Sequence, residues 1–127
     1  MPEAQARPLV LVVDDMKEIR ELFASVLEKA GFRVDTAGDG QRAIVKAVEL
    51  HPDVILMDLV MPGMSGFQAA EQIQQRPDMK SIPVIICTGY STEAQVRDAG
   101  YPFLRKPCSM SALRAAVQGQ LRQGKKE

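Results

Sequence analysis

The stretch VILMD at residues 54–58 decides the fold, because four consecutive apolar residues run directly into an acid. Two similar apolar runs lie at residues 9–13 and 84–87. Unbroken runs of this length are typical of strands in a parallel sheet that helices cover on both faces, whereas half-exposed strands alternate apolar and polar residues. Two weaker strand candidates lie at residues 32–37 and 103–105. The sequence therefore predicts a buried parallel sheet.

Helical patterns fill the segments between these runs. Apolar residues recur there at spacings of three and four, which predicts five amphipathic helices. The predicted helices end, in chain order, at Gly31, at His51, before Pro77 and, for a short fourth helix over 91–98, at Gly100, and Ser109 is the predicted N-cap of the fifth. Strict alternation of strands and helices predicts an α/β, flavodoxin-like fold with right-handed crossovers and strand order 2-1-3-4-5.

The composition excludes several classes of protein. The chain has 127 residues, of which 46% are hydrophobic, and 16 Lys+Arg balance 16 Asp+Glu. These values predict a single domain and argue against a nucleic-acid binder, which carries a basic excess. No stretch approaches the roughly twenty apolar residues of a membrane span, and the N-terminus lacks the apolar core of a secretory signal. We therefore expect a cytoplasmic protein with a domain at residues 8–122 and polar tails at 1–7 and 123–127.

Polar side chains follow four of the five predicted strands. Asp14 and Asp15 come after the first strand, Asp58 after the third, Thr88 after the fourth and Lys106 after the fifth. Because ligands of open parallel sheets bind beyond the carboxyl ends of the strands, we expect these side chains to converge on one edge. Three neighbouring carboxylates repel one another, and a hard divalent cation such as Mg²⁺ relieves that repulsion.

This group of side chains suits chemistry at phosphorus. An ionised carboxylate can attack phosphorus and form an acyl phosphate. A Mg²⁺ ion and the Lys106 ammonium would neutralise charge on the phosphoryl oxygens, and the Thr88 hydroxyl could donate a hydrogen bond to one of them. The residues therefore predict phosphoryl transfer at this edge of the sheet.

Four short motifs, each at the end of a predicted strand, resemble the receiver domain of two-component response regulators over residues 8–121. They are VVDD at 12–15, LMDLVMPGMSG at 56–66, TG at 88–89 and LRKP at 104–107. The resemblance implies a phosphorylation-dependent switch that is not an enzyme toward other molecules. It also implies a histidine kinase or a histidine phosphotransfer protein as partner, an output partner that the sequence does not identify, and no direct contact with nucleic acid or membrane.

The resemblance assigns an expected role to each residue of the motifs. Asp58 matches the phosphoacceptor, which takes a phosphoryl group from a phosphohistidine of the kinase, and Lys106 matches the lysine that contacts this group. Asp14 and Asp15 match the acidic pair that holds Mg²⁺, with Asp15 the more direct ligand. Val60 would add its backbone carbonyl to the same ion.

Other matching positions concern switching and phosphoryl lifetime. Thr88 matches the switch hydroxyl, and Phe103 stands in the place of the switch aromatic, although a plain core position explains Phe103 almost as well. Lys106 follows Thr88 by eighteen positions, several fewer than receivers commonly have, which predicts a fourth helix about one turn shorter. Receivers attached to hybrid histidine kinases look similar in this segment, so the chain resembles such a module or a stand-alone regulator. An apolar Val60 and a bulky Tyr90 predict a long-lived phosphoryl group.

Three other functions fit part of the pattern. A small Mg²⁺-dependent phosphohydrolase with an aspartyl-phosphate intermediate would share Asp58 and Lys106, but haloacid-dehalogenase phosphatases carry a second acid where this chain has Val60. A flavin or nucleotide binder would need a glycine-rich loop after the first strand, where Asp14 and Asp15 stand instead. A receiver-like scaffold that is never phosphorylated is disfavoured because all five site residues are present.

Overall fold

Strands and helices alternate throughout residues 7–89 and 92–124, which are the residues that the computed structural model describes. In chain order they are β1 (Leu9–Val13), α1 (Lys17–Lys29), β2 (Arg33–Ala37), α2 (Gly40–Leu50), β3 (Val54–Asp58), α3 (Gly66–Gln74), β4 (Val84–Thr88), α4 (Glu93–Asp98), β5 (Phe103–Arg105) and α5 (Met110–Gly124). The predicted alternation is confirmed.

The five strands form one parallel sheet in the order β2-β1-β3-β4-β5. Successive residues of a strand point to opposite faces, and the sheet separates two apolar clusters accordingly. Leu11 and Ile55 lie in one cluster, and their neighbours Val12 and Leu56 lie in the other. Every residue of β3 and β4 is buried, as their unbroken apolar runs predict. The α/β, flavodoxin-like fold with strand order 2-1-3-4-5 is therefore confirmed.

Local interactions explain where several helices begin and end. Gly31 has φ of 102°, a left-handed conformation that follows the last turn of α1 and favours glycine. Ser65 and Gln68 form a reciprocal capping box at the start of α3. Ser109 accepts a hydrogen bond of 3.1 Å from the backbone N–H of Ala112, so its predicted role as the N-cap of α5 is confirmed.

Some boundaries differ from the sequence-based prediction. Asp58 and Thr88 are the last residues of β3 and β4 rather than the first residues beyond them. Phe32 is not part of β2, because its backbone N–H donates to the Leu27 carbonyl of α1 at 3.1 Å. The segment predicted as a C-terminal tail overlaps α5, which runs to Gly124, since helical geometry often continues for a residue or two past the last packed turn. The domain boundaries themselves stay a prediction.

The fourth helix is short, as predicted, with six residues in α4. Its predicted first residue, Ser91, and the neighbouring Tyr90 lie outside the described residues. Among the helices that are described, none combines the length and the hydropathy that crossing a membrane requires.

Candidate functional site

Four charged side chains meet at the carboxyl edge of the sheet. Asp14 and Asp15 lie in the loop after β1, Asp58 ends β3, and Lys106 follows β5. One carboxylate oxygen from each of the three acids lies within 4.8 Å of the others. The Lys106 Nζ lies 2.9 Å from Asp14 Oδ2 and 3.3 Å from Asp58 Oδ1. The strand order therefore brings together residues that are far apart in the sequence.

Asp14 is held from several directions at once. Its backbone N–H donates to the Ala37 carbonyl at the end of β2, at 3.2 Å. Its Oδ1 accepts a hydrogen bond of 3.0 Å from the Met16 N–H, and its Oδ2 accepts one from Lys106. The side chain is only 3% exposed. Asp14 is therefore a rigid, buried acid, whereas its neighbour Asp15 is exposed.

The backbone around Asp58 is fixed by the elements on either side. The N–H of Leu59 donates to the Cys87 carbonyl of β4 at 3.0 Å, and the N–H of Gly66 donates to the Leu59 carbonyl at 2.8 Å. The helix α3 approaches so closely that a Cβ at Gly66 would lie 2.4 Å from the Asp58 carbonyl oxygen. Only glycine leaves room for this approach. Gly66 was not among the predicted site residues, although it ends the motif at 56–66.

The charges in this group shift one another's ionisation. The pKa of Asp58 is raised from its usual 3.8 to about 6, because burial and then the negative charge of Asp14 raise it by more than Lys106 lowers it. Burial on its own lowers the pKa of Lys106, but the hydrogen bond to Asp14 and the charges of Asp58 and Asp14 outweigh it, so the net shift is upward. At neutral pH, Asp58 is therefore predominantly ionised and Lys106 is charged.

Thr88 lies at the same edge, one residue beyond Cys87, which is the partner of Asp58 in the neighbouring strand. Its hydroxyl is a hydrogen-bond partner of the Thr92 hydroxyl and donates to the Gly89 carbonyl at 3.2 Å. The side chain is buried, and the backbone carbonyl of Thr88 accepts a hydrogen bond of 2.8 Å from the Lys106 N–H. Thr88 thus connects β4 to the loop that carries Lys106 and to the start of α4. The contact with Thr92 has no sequence motif that could have revealed it.

Phe103 and Val60 lie outside this group of charges. The half-buried Phe103 ring packs against one apolar cluster, and the guanidinium of Arg97 lies over it, with Cζ 5.7 Å from the ring centroid. Val60 is 74% exposed, which fits no core role for its side chain. Tyr90, which with Val60 carries the prediction of a long phosphoryl lifetime, is outside the described residues.

The donor chemistry of the site suits a hard divalent cation. Three carboxylates offer oxygen ligands, and Mg²⁺ binds carboxylate oxygens together with waters and phosphate groups. Lys106 already balances part of the negative charge of Asp14 and Asp58. The Asp15 side chain is exposed to solvent, where a cation can reach it. The residues present therefore fit Mg²⁺, and Asp14, Asp15 and Asp58 are the side chains that could hold it.

Comparisons with known proteins agree with this geometry. The family model described as response regulator receiver domain matches residues 10–118. Protein PilG of Pseudomonas aeruginosa is 35% identical over 116 residues, which cover 88% of this chain and 86% of PilG. The phosphate regulon transcriptional regulatory protein PhoB of Rhizobium meliloti is 32% identical over 124 residues, which cover 94% of this chain and 55% of PhoB. The chain thus spans about half the length of some of its relatives.

Solved structures show the same fold. The chemotaxis protein CheY4 of Vibrio cholerae superposes with a TM-score of 0.84 at 32% identity, covering 91% of this chain and 100% of that one. The signal receiver domain of a signal transduction histidine kinase from Syntrophus aciditrophicus superposes with a TM-score of 0.85 at 27% identity, covering 94% of both chains. The family match, the relatives and the acidic edge of the sheet lead to one conclusion: the chain belongs to the response regulator receiver domains of two-component systems.

Proposed function

We propose that the protein is a phosphorylation-dependent switch in which Asp58 accepts a phosphoryl group from the phosphohistidine of a histidine kinase. The observation that carries this proposal is the position of Asp58, whose Oδ1 lies 3.3 Å from the Lys106 ammonium and whose carboxylate shares one edge of the sheet with Asp14 and Asp15. The phosphorylated domain then binds an output partner or passes the phosphoryl group to a histidine phosphotransfer protein.

The chain supplies both the nucleophile and charge neutralisation. A carboxylate oxygen of Asp58 forms a bond to phosphorus while the bond between phosphorus and the histidine nitrogen breaks, and that nitrogen keeps the electron pair. The Lys106 ammonium, already within hydrogen-bond distance of Asp58, stabilises charge on the phosphoryl oxygens. No general base is required, because Asp58 is ionised at neutral pH.

A Mg²⁺ ion bound by Asp14, Asp15 and Asp58 would reduce the repulsion between the carboxylates and the incoming phosphoryl group. The backbone carbonyl of Val60 is a proposed additional ligand. Asp14 is held in place by Met16 and Lys106, so it contributes a fixed carboxylate. The exposed Asp15 faces the solvent from which both cation and kinase arrive.

Two residues are proposed to report the phosphorylated state. The Thr88 hydroxyl turns from Gly89 and Thr92 toward a phosphoryl oxygen, and Phe103 responds by moving inward from beneath Arg97. In this proposal the domain comprises residues 8–122, works in the cytoplasm and acts only on its own phosphorylation and dephosphorylation.

Acetyl phosphate tests the proposal without a cognate kinase. The wild-type protein and the Asp58→Ala variant are each incubated with acetyl phosphate, with and without Mg²⁺, and their intact masses are measured. We expect a single phosphoryl adduct that requires Mg²⁺ and is absent from the variant. An adduct that persists in Asp58→Ala would refute the assignment of Asp58. Multiple turnover of a generic phosphomonoester would favour the phosphohydrolase instead.

Beryllofluoride gives a second, independent readout. It mimics an acyl phosphate and does not hydrolyse, so it separates a short-lived phosphoryl group from a site that cannot accept one. If neither acetyl phosphate nor beryllofluoride modifies or binds the wild-type protein in Mg²⁺, the chain is a receiver-like scaffold and the proposal is wrong.

A further inference from the structure

The side chain of Arg20 reaches back from the first turn of α1 to the acidic loop. Its Nη1 donates a hydrogen bond of 2.8 Å to the main-chain carbonyl oxygen of Asp14. The same residue is tied to the helix start, because its backbone N–H donates to the Met16 carbonyl at 3.0 Å. Arg20 thus spans the turn that carries both acids of the loop.

The carbonyl of Asp14 belongs to the peptide group that leads into Asp15. A peptide group is planar, so anchoring its oxygen also fixes the direction in which the Cα of Asp15 leaves it. The other side of Asp14 is fixed by its N–H bond to the Ala37 carbonyl. With both backbone groups of Asp14 held, Asp15 has a defined starting direction although its own side chain is exposed.

A glycine makes room for the guanidinium. Gly38, directly after β2, has no side chain, and a Cβ there would lie 3.2 Å from Nη1 and 3.7 Å from Cζ of Arg20. The φ of Gly38 is not positive, so its conformation does not itself require glycine. Glycine at position 38 therefore serves to leave space for the Arg20 guanidinium.

We propose that Arg20 is a positioning residue for the cation site, because its bond to the Asp14 carbonyl orients the peptide that aims Asp15 at the other two carboxylates. This inference rests on the proposed function, in which Asp14, Asp15 and Asp58 hold Mg²⁺. In this proposal Arg20 acts through the Asp14 peptide and is not itself a ligand of the cation.

The sign of one measurement separates this role from simple electrostatics. A guanidinium near a cation site repels the cation, so if charge alone mattered, removing Arg20 would strengthen Mg²⁺ binding. If Arg20 positions Asp15, its removal weakens binding, and losses of about tenfold or more are typical when a group that orients a metal ligand is removed.

The test is isothermal titration calorimetry with Mg²⁺, since the chain has 0 Trp and offers no tryptophan fluorescence. We expect Arg20→Met to raise the Mg²⁺ dissociation constant about tenfold. Lys17→Met is the matched control, because it removes a positive charge from the same helix at an exposed side chain whose ion pair is with Glu21. The Mg²⁺ dissociation constant of Lys17→Met should equal that of the wild type or be slightly lower.

A second variant leaves Arg20 in place. Gly38→Val adds a side chain whose Cβ alone would lie 3.2 Å from Nη1 of Arg20, so we expect it to displace the guanidinium and to weaken Mg²⁺ binding, as Arg20→Met does. Thermal unfolding without Mg²⁺ is measured for every variant. If the role of Arg20 were purely structural, its removal would lower the unfolding temperature and leave the Mg²⁺ affinity unchanged.

The outcomes distinguish the two levels of the proposal. If the wild type binds Mg²⁺ and both Arg20→Met and Gly38→Val bind it as tightly or more tightly, the positioning role is overturned while the cation site stands. If the wild type itself does not bind Mg²⁺, the cation site of the proposed function fails, and the role of Arg20 fails with it.

Discussion

Burial of the Asp58 carboxyl makes its ionised form unfavourable in the folded protein. Its pKa is raised to about 6 from the usual 3.8, with burial the largest cause, so the folded protein binds this proton more tightly than the unfolded chain does. The contribution of Asp58 to the free energy of unfolding therefore falls as the pH rises from about 4 to above 6, because a growing fraction of this buried carboxyl becomes charged. At neutral pH the ionised Asp58 destabilises the fold.

The Asp58→Asn variant should show this cost. In the absence of Mg²⁺ at pH 7, we expect it to raise the free energy of unfolding by roughly 1 kcal/mol, less than the full shift implies because part of the carboxyl is screened by water. The difference from wild type should vanish as the pH approaches 4. Urea unfolding across this range measures it.

Asp15→Asn is the control for that measurement. It removes a charge from the same group at an exposed position, so it reports the contribution of repulsion among the carboxylates without the cost of burial. Parallel pH profiles for the wild type and Asp58→Asn between pH 4 and 7 would contradict the assigned cause.

Single residues of the site differ in how far sequence reasoning could find them. Asp14, Asp58 and Lys106 directly follow or end apolar runs, and parallel topology alone brings such positions together. Arg20 instead acts on a main-chain carbonyl, a group that every residue has, so no pattern of side chains marks its partner. The same holds for Thr92, whose hydroxyl meets that of Thr88.

At the scale of elements, the contact between α3 and β3 controls where Asp58 sits. A Cβ at Gly66 would press on main-chain atoms of both Asp58 and Leu59, and backbone cannot swing aside as a flexible side chain can. The helix would have to move away from the strand, and the strand end that carries the carboxylate would lose its neighbour.

Gly66→Ala should therefore destabilise the domain, by about 2 to 3 kcal/mol as overpacking typically does, and slow phosphorylation by acetyl phosphate. Gly119→Ala in α5 is the matched control, because nothing lies within 4 Å of a Cβ there. It should raise the free energy of unfolding by about 0.5 to 1 kcal/mol. Thermal unfolding measures the change in stability of both variants, and intact mass measures their rate of phosphorylation. Equal stability and equal phosphorylation of Gly66→Ala and wild type would count against a tight contact.

The elements themselves were largely predictable, and their ends less so. Apolar runs and three-to-four spacing are set by burial, which the sequence encodes directly. Boundaries depend on individual hydrogen bonds, such as the bond from the Phe32 N–H to Leu27 that keeps Phe32 out of β2. The extra residues of β3 and β4 were missed because Asp58 and Thr88 are polar but buried.

For the molecule as a whole, the site lies where separate strands end. Asp14 follows β1, Asp58 ends β3 and Lys106 follows β5, so a cation that binds the acids binds only the folded chain. Anything that binds only the folded state stabilises it by mass action. Cation binding should therefore stabilise the whole domain against unfolding and not only one loop.

We expect Mg²⁺ at about a hundred times its dissociation constant to raise the free energy of unfolding by about 2.7 kcal/mol. Thermal unfolding by circular dichroism, with potassium chloride at matched ionic strength as control, measures the gain. Asp15→Asn should lose most of it. A gain that is equal with potassium chloride would mean that Mg²⁺ acts by screening and not at a site.

The ion pair between Lys106 and Asp14 joins residues that are 92 positions apart in the chain. Contacts of such high sequence separation form late, because a long loop must close before they can stabilise anything. During synthesis, Asp14 and Asp58 leave the ribosome well before β5, which begins at Phe103. The nascent domain therefore carries its acids without the ammonium that neutralises two of them, and its charge balance is completed only when the last strand docks.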